Sequence, residues 1–350
     1  MAAASAYANS KSDVSERQAL WFVAPLAAMV YPLPLMAFHA CVTATIQHGF
    51  IAWLGAGISL LLAFLAPGVA LYFAVRLSAI EAPTIAELRA RRVAFLAVAA
   101  PPIFTLTGVY FLPLGTANLD AWVLAAFWGA LAISTALSDK RAAAPALKPA
   151  PLGARVAHGV AAAAILLVFL GGHLINHLFG LAGGEAHLAV MKVLRHVYRA
   201  RLVEPVLLLG FLFQIVTGCF MAWKLTTKPA DRFRALQIAS GVYLSFFLIS
   251  HINAVLIVAR FYLHIDPDWN FATGAPVGMI HDAWSIRLVP YYWLGVFFVL
   301  LHLASGARTV VLERASETKW ADRIVSWGAA ASVIVSTLLL LGMCRLRLHS

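Results

Sequence analysis

The chain carries little charge. Asp, Glu, Lys and Arg make up 12% of its 350 residues, apolar residues make up 62%, and the mean hydropathy is +0.85. This excludes a soluble globular domain of that size, which needs far more polar surface. Cysteine is scarce as well: Cys41, Cys219 and Cys344 lie in or beside apolar runs without CxxC spacing. That argues against a disulfide framework and against iron–sulfur ligation. The first 17 residues are rich in Ala and Ser but contain Asp13 and Glu16, unlike a transit peptide. The apolar run that follows is too long for the core of a signal peptide.

Long apolar segments are plentiful. Nine are placed, at about 19–42, 51–77, 94–114, 120–138, 157–178, 203–223, 235–261, 291–308 and 324–344. Each is long enough to cross a hydrocarbon layer of ~30 Å. Each must be helical, because lipid offers no partner to a free backbone group. The expected fold is an all-α, polytopic membrane helical bundle of about nine transmembrane helices, with the lipid bilayer as its first partner. Pro32, Pro34, Pro67, Pro101 and Pro102 mark expected kinks.

The formal charge of +11 points to topology, not to nucleic acid. With the N-terminus inside, 18 of the 26 Lys and Arg fall on the inner side, Lys11, Arg17, Arg89, Arg91, Arg92, Lys140, Lys228 and Arg308 among them. The outer loops 43–50 and 115–119 contain no Lys or Arg, and only loop 179–202 is discordant. The expectation is N-terminus inside and C-terminus outside, in a bacterial cytoplasmic membrane, with a mitochondrial membrane as the alternative. An Ala/Pro-rich linker at 139–154 divides a four-helix region, 1–138, from a five-helix region, 155–350.

Most histidines follow the linker. His173 and His251 lie deep in the fifth and seventh apolar runs. At 1.5 Å per residue both fall in the outer half of the membrane, within roughly 8 Å of each other in depth. A histidine at that depth is a functional-site hypothesis by default. Two at matched depth suit axial ligation of a haem iron. The plain alternative is two unrelated histidines bonded to helix carbonyls. Gly171, Gly172, Gly241 and Ser250 are small residues beside them that would let a flat macrocycle approach. No Asp or Glu lies at that depth, which disfavours a zinc or di-iron centre. His158 and His302 form a separate inner group, and His177 is read as an interfacial residue or hydrogen-bond partner of the site. Segment 184–201 has apolar residues at helical spacing among basic ones, the pattern of an interfacial helix, with Arg195 and Arg199 available to lipid phosphates or haem propionates. Loop 262–290 is polar and aromatic, and reads either as a cap over a cofactor or quinone entrance or as an interfacial aromatic belt.

Arg155 and His158 opening a span, His173 fifteen residues later, Gln237-Ile-Ala-Ser240-Gly241 ahead of His251, and His302-Leu-Ala-Ser305-Gly306 occur in that order, with Gly184-Glu185-Ala186 between. On these residues, 155–345 resembles the five-span cytochrome b membrane anchor of succinate dehydrogenases and fumarate reductases, the Gram-positive type most of all. The resemblance implies haem b at His173 and His251, support from Arg155, His158, Gln237 and Ser240, and a further ligand at His302. It also implies quinone as electron partner and flavoprotein and iron–sulfur subunits on the inner side. One departure is Gln214, which stands where two-haem members carry the partner ligand of His302; a single haem is therefore expected. The four extra N-terminal spans are a second departure.

The resulting expectation is a mono-haem b-type cytochrome exchanging electrons with quinone, alone or as an anchor, and not an enzyme by itself. The alternative is a non-respiratory member of the same superfamily, since fungal mitochondrial relatives look like lipid-homeostasis and contact-site proteins. A transporter is the third reading. It needs a charge near the midplane, for which Glu204 beside Pro205 is the candidate.

Overall fold

The computed structural model describes residues 18–315 and 318–345. Lys11 and Arg17, two of the charges assigned to the inner side, lie outside the described residues. The chain is 82% helical without strands among the described residues. The extended contact is one isolated bridge, Thr84 with Ala143.

Seven helices are long and apolar enough to cross a membrane: α1 (Leu20–Thr45), α2 (His48–Ser78), α6 (Leu152–Ala182), α8 (Val203–Leu225), α9 (Arg232–Tyr262), α10 (Ser285–Glu313) and α11 (Thr318–Met343). Helices α3 (Ile85–Val98) and α4 (Ala100–Phe111) form an eighth, bent by 65°. The bend falls just before Pro101 and Pro102, which cannot donate to the helical ladder. The remaining expected span is α5 (Asp120–Ala136); its 17 residues stand at the lower end of the ~17–25 that a crossing takes. Helix α7 (Gly184–Tyr198) lies between α6 and α8 where the interfacial helix was expected. Gly49, at φ +52°, lets the chain turn sharply between α1 and α2. Thr84 and Glu87 cap α3 reciprocally: Glu87 N–H donates to Thr84 Oγ1 at 3.2 Å, and Thr84 N–H to Glu87 Oε2 at 2.8 Å.

Hydrogen bonds gather the loops into two ends. At one end Ala230 N–H donates to the Ser78 carbonyl, Leu147 N–H to Thr227 Oγ1, and Ala86 N–H to the Asp139 carbonyl. Arg155 pairs there with Glu313, and Arg308 with Asp322. These are the segments assigned by charge to the inner side. At the other end His39 bonds the His281 carbonyl, and Arg287 pairs with Asp120 at 2.6 Å. The bent pair α3–α4, and α5, thus run between the same two ends as the longer helices.

The regions on either side of the linker share one core. Trp21, Tyr31, Phe95, Phe104 and Trp128 belong to the same buried cluster as Tyr243, Tyr291 and Phe298. Arg91 fastens them at the basic end. Its guanidinium, on a residue only 1% exposed, donates to the carbonyls of Leu77 (2.9 Å), Ile80 (2.7 Å), Thr226 (2.7 Å) and Lys228 (3.0 Å). Beside it Arg92 lies over the Trp223 ring at 3.4 Å.

Candidate functional site

His173 and His251 come together. Their ring centroids are 6.0 Å apart with the planes at 75°. Neither ring has a hydrogen-bond partner among the described residues. Two metal–nitrogen bonds of ~2.0 Å and two ring radii of about 1.1 Å sum to roughly 6.2 Å, so two imidazoles at this separation could share one iron. The donor set and the spacing both fit a bis-imidazole haem iron.

Each histidine is backed by a phenylalanine one turn earlier on its own helix. Phe169 stacks on His173 at 4.9 Å, and Phe247 on His251 at 5.5 Å, with planes 19° and 9° apart. Each also adjoins a wide helical turn. Leu166–Leu170 is π-helical just before His173, and Ala254–Tyr262 is π-helical just after His251. Such turns are frequent at functional sites because they re-aim the side chains beside them. The repeated Phe-x-x-x-His spacing is visible in the sequence, at 169/173 and 247/251; the π turns leave no comparable signal.

Outward of His173 the site is polar and covered. The His177 ring lies 4.7 Å from His173 and 5.1 Å from His187, and Trp269 packs on His187 at 4.5 Å. Asn176 and His187 share a 3.1 Å hydrogen bond. Asn176 Oδ1, His177 Nδ1 and His187 Nδ1 are buried without partners among the described residues. His177 therefore sits in the aromatic stack and does not hydrogen-bond as expected. Burial pulls the His187 imidazole down to about 4, with Asp268 opposing the shift. The 262–290 loop thus folds inward over the site. Trp269 reaches this depth because Gly180 and Gly184 carry no Cβ; one at Gly180 would lie 2.0 Å from the indole.

Arg195 and Arg199 face the loop. Arg195 donates to the Pro267 carbonyl, and Arg199 pairs with Asp266 at 2.8 Å. The Arg199 guanidinium holds the Asp266 carboxyl below its usual range. Glu204, the candidate for a transport charge, is paired with Arg260 at 2.5 Å.

The small residues do not leave the open wall that was expected. The space at Gly172 is taken by Tyr198 Oη and that at Gly241 by His302, while Ser250 is fully buried and bonded to Tyr291. Gly171 alone looks onto its own helix, at the Leu166 carbonyl.

The inner residues form a second group. His158 Nδ1 bonds Thr217 Oγ1 at 2.7 Å, and Gln214 Nε2 donates to the His158 carbonyl at 3.0 Å. His302 Nδ1 bonds Ser240 Oγ at 2.9 Å, and Ser240 in turn donates to the Gln237 carbonyl. Gln237 Oε1 accepts from Arg234, and Arg155 is held by Glu313. Gln214 and His302 are not hydrogen-bonded to each other. Both inner histidines are supported through Nδ1, the usual support of a ligating histidine.

No group of three or more His, Cys, Asp or Glu suited to a bare metal ion occurs among the described residues. An apolar groove of about 490 Å³ between α2, α10 and α11 lies away from the histidines. The polar side chains on its wall, Trp293 and Thr337, bond each other at 3.1 Å, so it suits hydrocarbon. In comparisons with family models, curated proteins and solved structures, nothing matches this chain.

Proposed function

We propose that the chain is an integral-membrane b-type cytochrome that holds one haem between His173 and His251 and exchanges electrons with a membrane quinone. The observation that carries this reading is the 6.0 Å separation of two imidazoles whose nitrogens have no hydrogen-bond partner among the described residues. Bound there, haem b would supply one-electron transfer. The chain's own residues would hold the iron at His173 and His251 and keep those rings stacked against Phe169 and Phe247. Trp269 would exclude water from the outer end. The unpaired Nδ1 atoms of His187 and His177 would donate to a quinone carbonyl, and Asn176 Oδ1 would accept from a quinol hydroxyl; the apolar groove offers neither. In this reading the basic end faces the cytoplasm, where flavoprotein and iron–sulfur subunits would dock if the chain serves as an anchor. The tying-down of Gln214 on the His158 carbonyl supports a single haem. A lone cytochrome, or a non-respiratory relative, is then preferred over an anchor with a continuous electron path.

The test is a reduced-minus-oxidised spectrum of the purified full chain with pyridine haemochrome quantitation. One low-spin b haem per chain is expected, lost in His173→Ala and in His251→Ala and nearly intact in His302→Ala. Purified protein without haem overturns the reading.

The Nδ1 support of His158 and His302 favours a second reading, with haem at the inner site as well. Quantitation near two per chain, or loss of signal in His302→Ala, would establish it and restore the anchor to first place.

A further inference from the structure

We propose that α7 is a clamp across the two histidine-bearing helices, and that Tyr198 is the residue through which it positions His173. The proposal rests on the haem reading above.

A π turn, closed by i→i+5 bonds, widens the helical ladder locally. Within the π turn Leu166–Leu170, the Phe169 carbonyl accepts a 3.1 Å hydrogen bond from Tyr198 Oη. Tyr198 reaches that carbonyl over Gly172, where a Cβ would lie 2.4 Å from its hydroxyl oxygen. The Phe169 ring is then held between Tyr198, at 4.7 Å, and His173, at 4.9 Å. One face of the His173 imidazole is thus set by a phenylalanine that Tyr198 fixes through both ring and carbonyl.

The same helix grips the other side. Arg195 donates to the Pro267 carbonyl and Arg199 pairs with Asp266. Both partners lie just beyond the π-helical segment Ala254–Tyr262, which follows His251 on α9. Helix α7 therefore holds α6 ahead of one ligand and the chain beyond α9 after the other, and the gap between the two imidazoles is set from both ends. Tyr198 makes no contact with either proposed ligand's nitrogens, so its role is positioning.

The experiment uses the full chain with Tyr198→Phe, Gly172→Ala and the double variant. With haem bound, Tyr198→Phe is expected to keep wild-type stoichiometry while the low-field g value of the ferric haem and its midpoint potential move. Gly172→Ala should give the same shift by driving the tyrosine oxygen off its carbonyl. In the Tyr198→Phe background it should add nothing, because the clashing oxygen is gone. In haem-free chain, hydrogen exchange across 166–174 should quicken roughly fivefold, the worth of one net hydrogen bond. A haem-loaded Tyr198→Phe with wild-type g values and potential overturns the clamp. So does unchanged exchange at 166–174, whether or not the wild-type chain binds haem. Absence of haem from the wild-type chain removes the haem reading alone.

Discussion

Replacing Arg91 by Met is the most direct way to ask whether the first four helices and the last five form one unit. The side chain is 1% exposed and makes four hydrogen bonds to carbonyls, one in the last turn of α2, one on the α2–α3 connection and two after α8. A hydrogen bond to a charged group contributes ~1.5–3 kcal/mol, so four give roughly 6–12 kcal/mol gross. Against this stands the desolvation of a guanidinium, which costs several kcal/mol. The net loss expected on truncation is about 3–5 kcal/mol, since the four carbonyls are left behind in a closed site. Arg91→Lys keeps the charge but places it on one nitrogen, which cannot span all four acceptors, and should recover about half of the loss. The measurement is equilibrium unfolding in mixed micelles titrated with SDS, followed by tryptophan fluorescence, with limited proteolysis in the 139–154 linker as a second readout. Earlier cleavage there should accompany the loss of stability. A Met variant within about 0.5 kcal/mol of wild type, or a Lys variant equal to Arg, would refute the reasoning, since surface substitutions fall in that range.

Two further outcomes follow from the ends of the bundle. His187, held down to about 4 against an ordinary 6.5, contributes stability that is full above about 6.5 and is lost as pH falls toward 4; a spin label at the exposed Val193 should gain mobility over that window, and a flat response, or one that survives His187→Gln, would count against it. A reporter fused after Lys140 or Lys228 should read cytoplasmic and one within 266–282 should read outside; a cytoplasmic signal from 266–282 would overturn the assignment of the basic end.

The long apolar runs were legible because span length and hydropathy are local properties. Pro101 and Pro102 announced a kink in the same way, and the structure bends by 65° beside them. The approach of His173 and His251 followed from counting residues to a common membrane surface, which needs topology but no tertiary detail. What escaped depends on partners far along the chain. Arg91 reads as one more basic residue of an inner loop until residues 135 and 137 positions later supply its acceptors. Arg195 and Arg199 look lipid-facing until Asp266 and Pro267 fold back onto them. Gly172 and Gly241 look like room for a ligand until Tyr198 and His302 fill it. A glycine marks a close approach without saying what approaches.

The Arg91 site also imposes an order in time. The carbonyls of Leu77 and Ile80 are made before Arg91 itself, whereas that of Thr226 follows it by 135 residues. At a synthesis rate of ~5–20 residues per second, the guanidinium waits about 7–27 s for its second pair of acceptors. During that interval the early helices can enter the bilayer, but their basic end stays hydrated and unlocked. Arrival of the turn after α8 supplies the second pair of acceptors and closes the end. The four-carbonyl site thus closes only when α8 and the turn after it have been made.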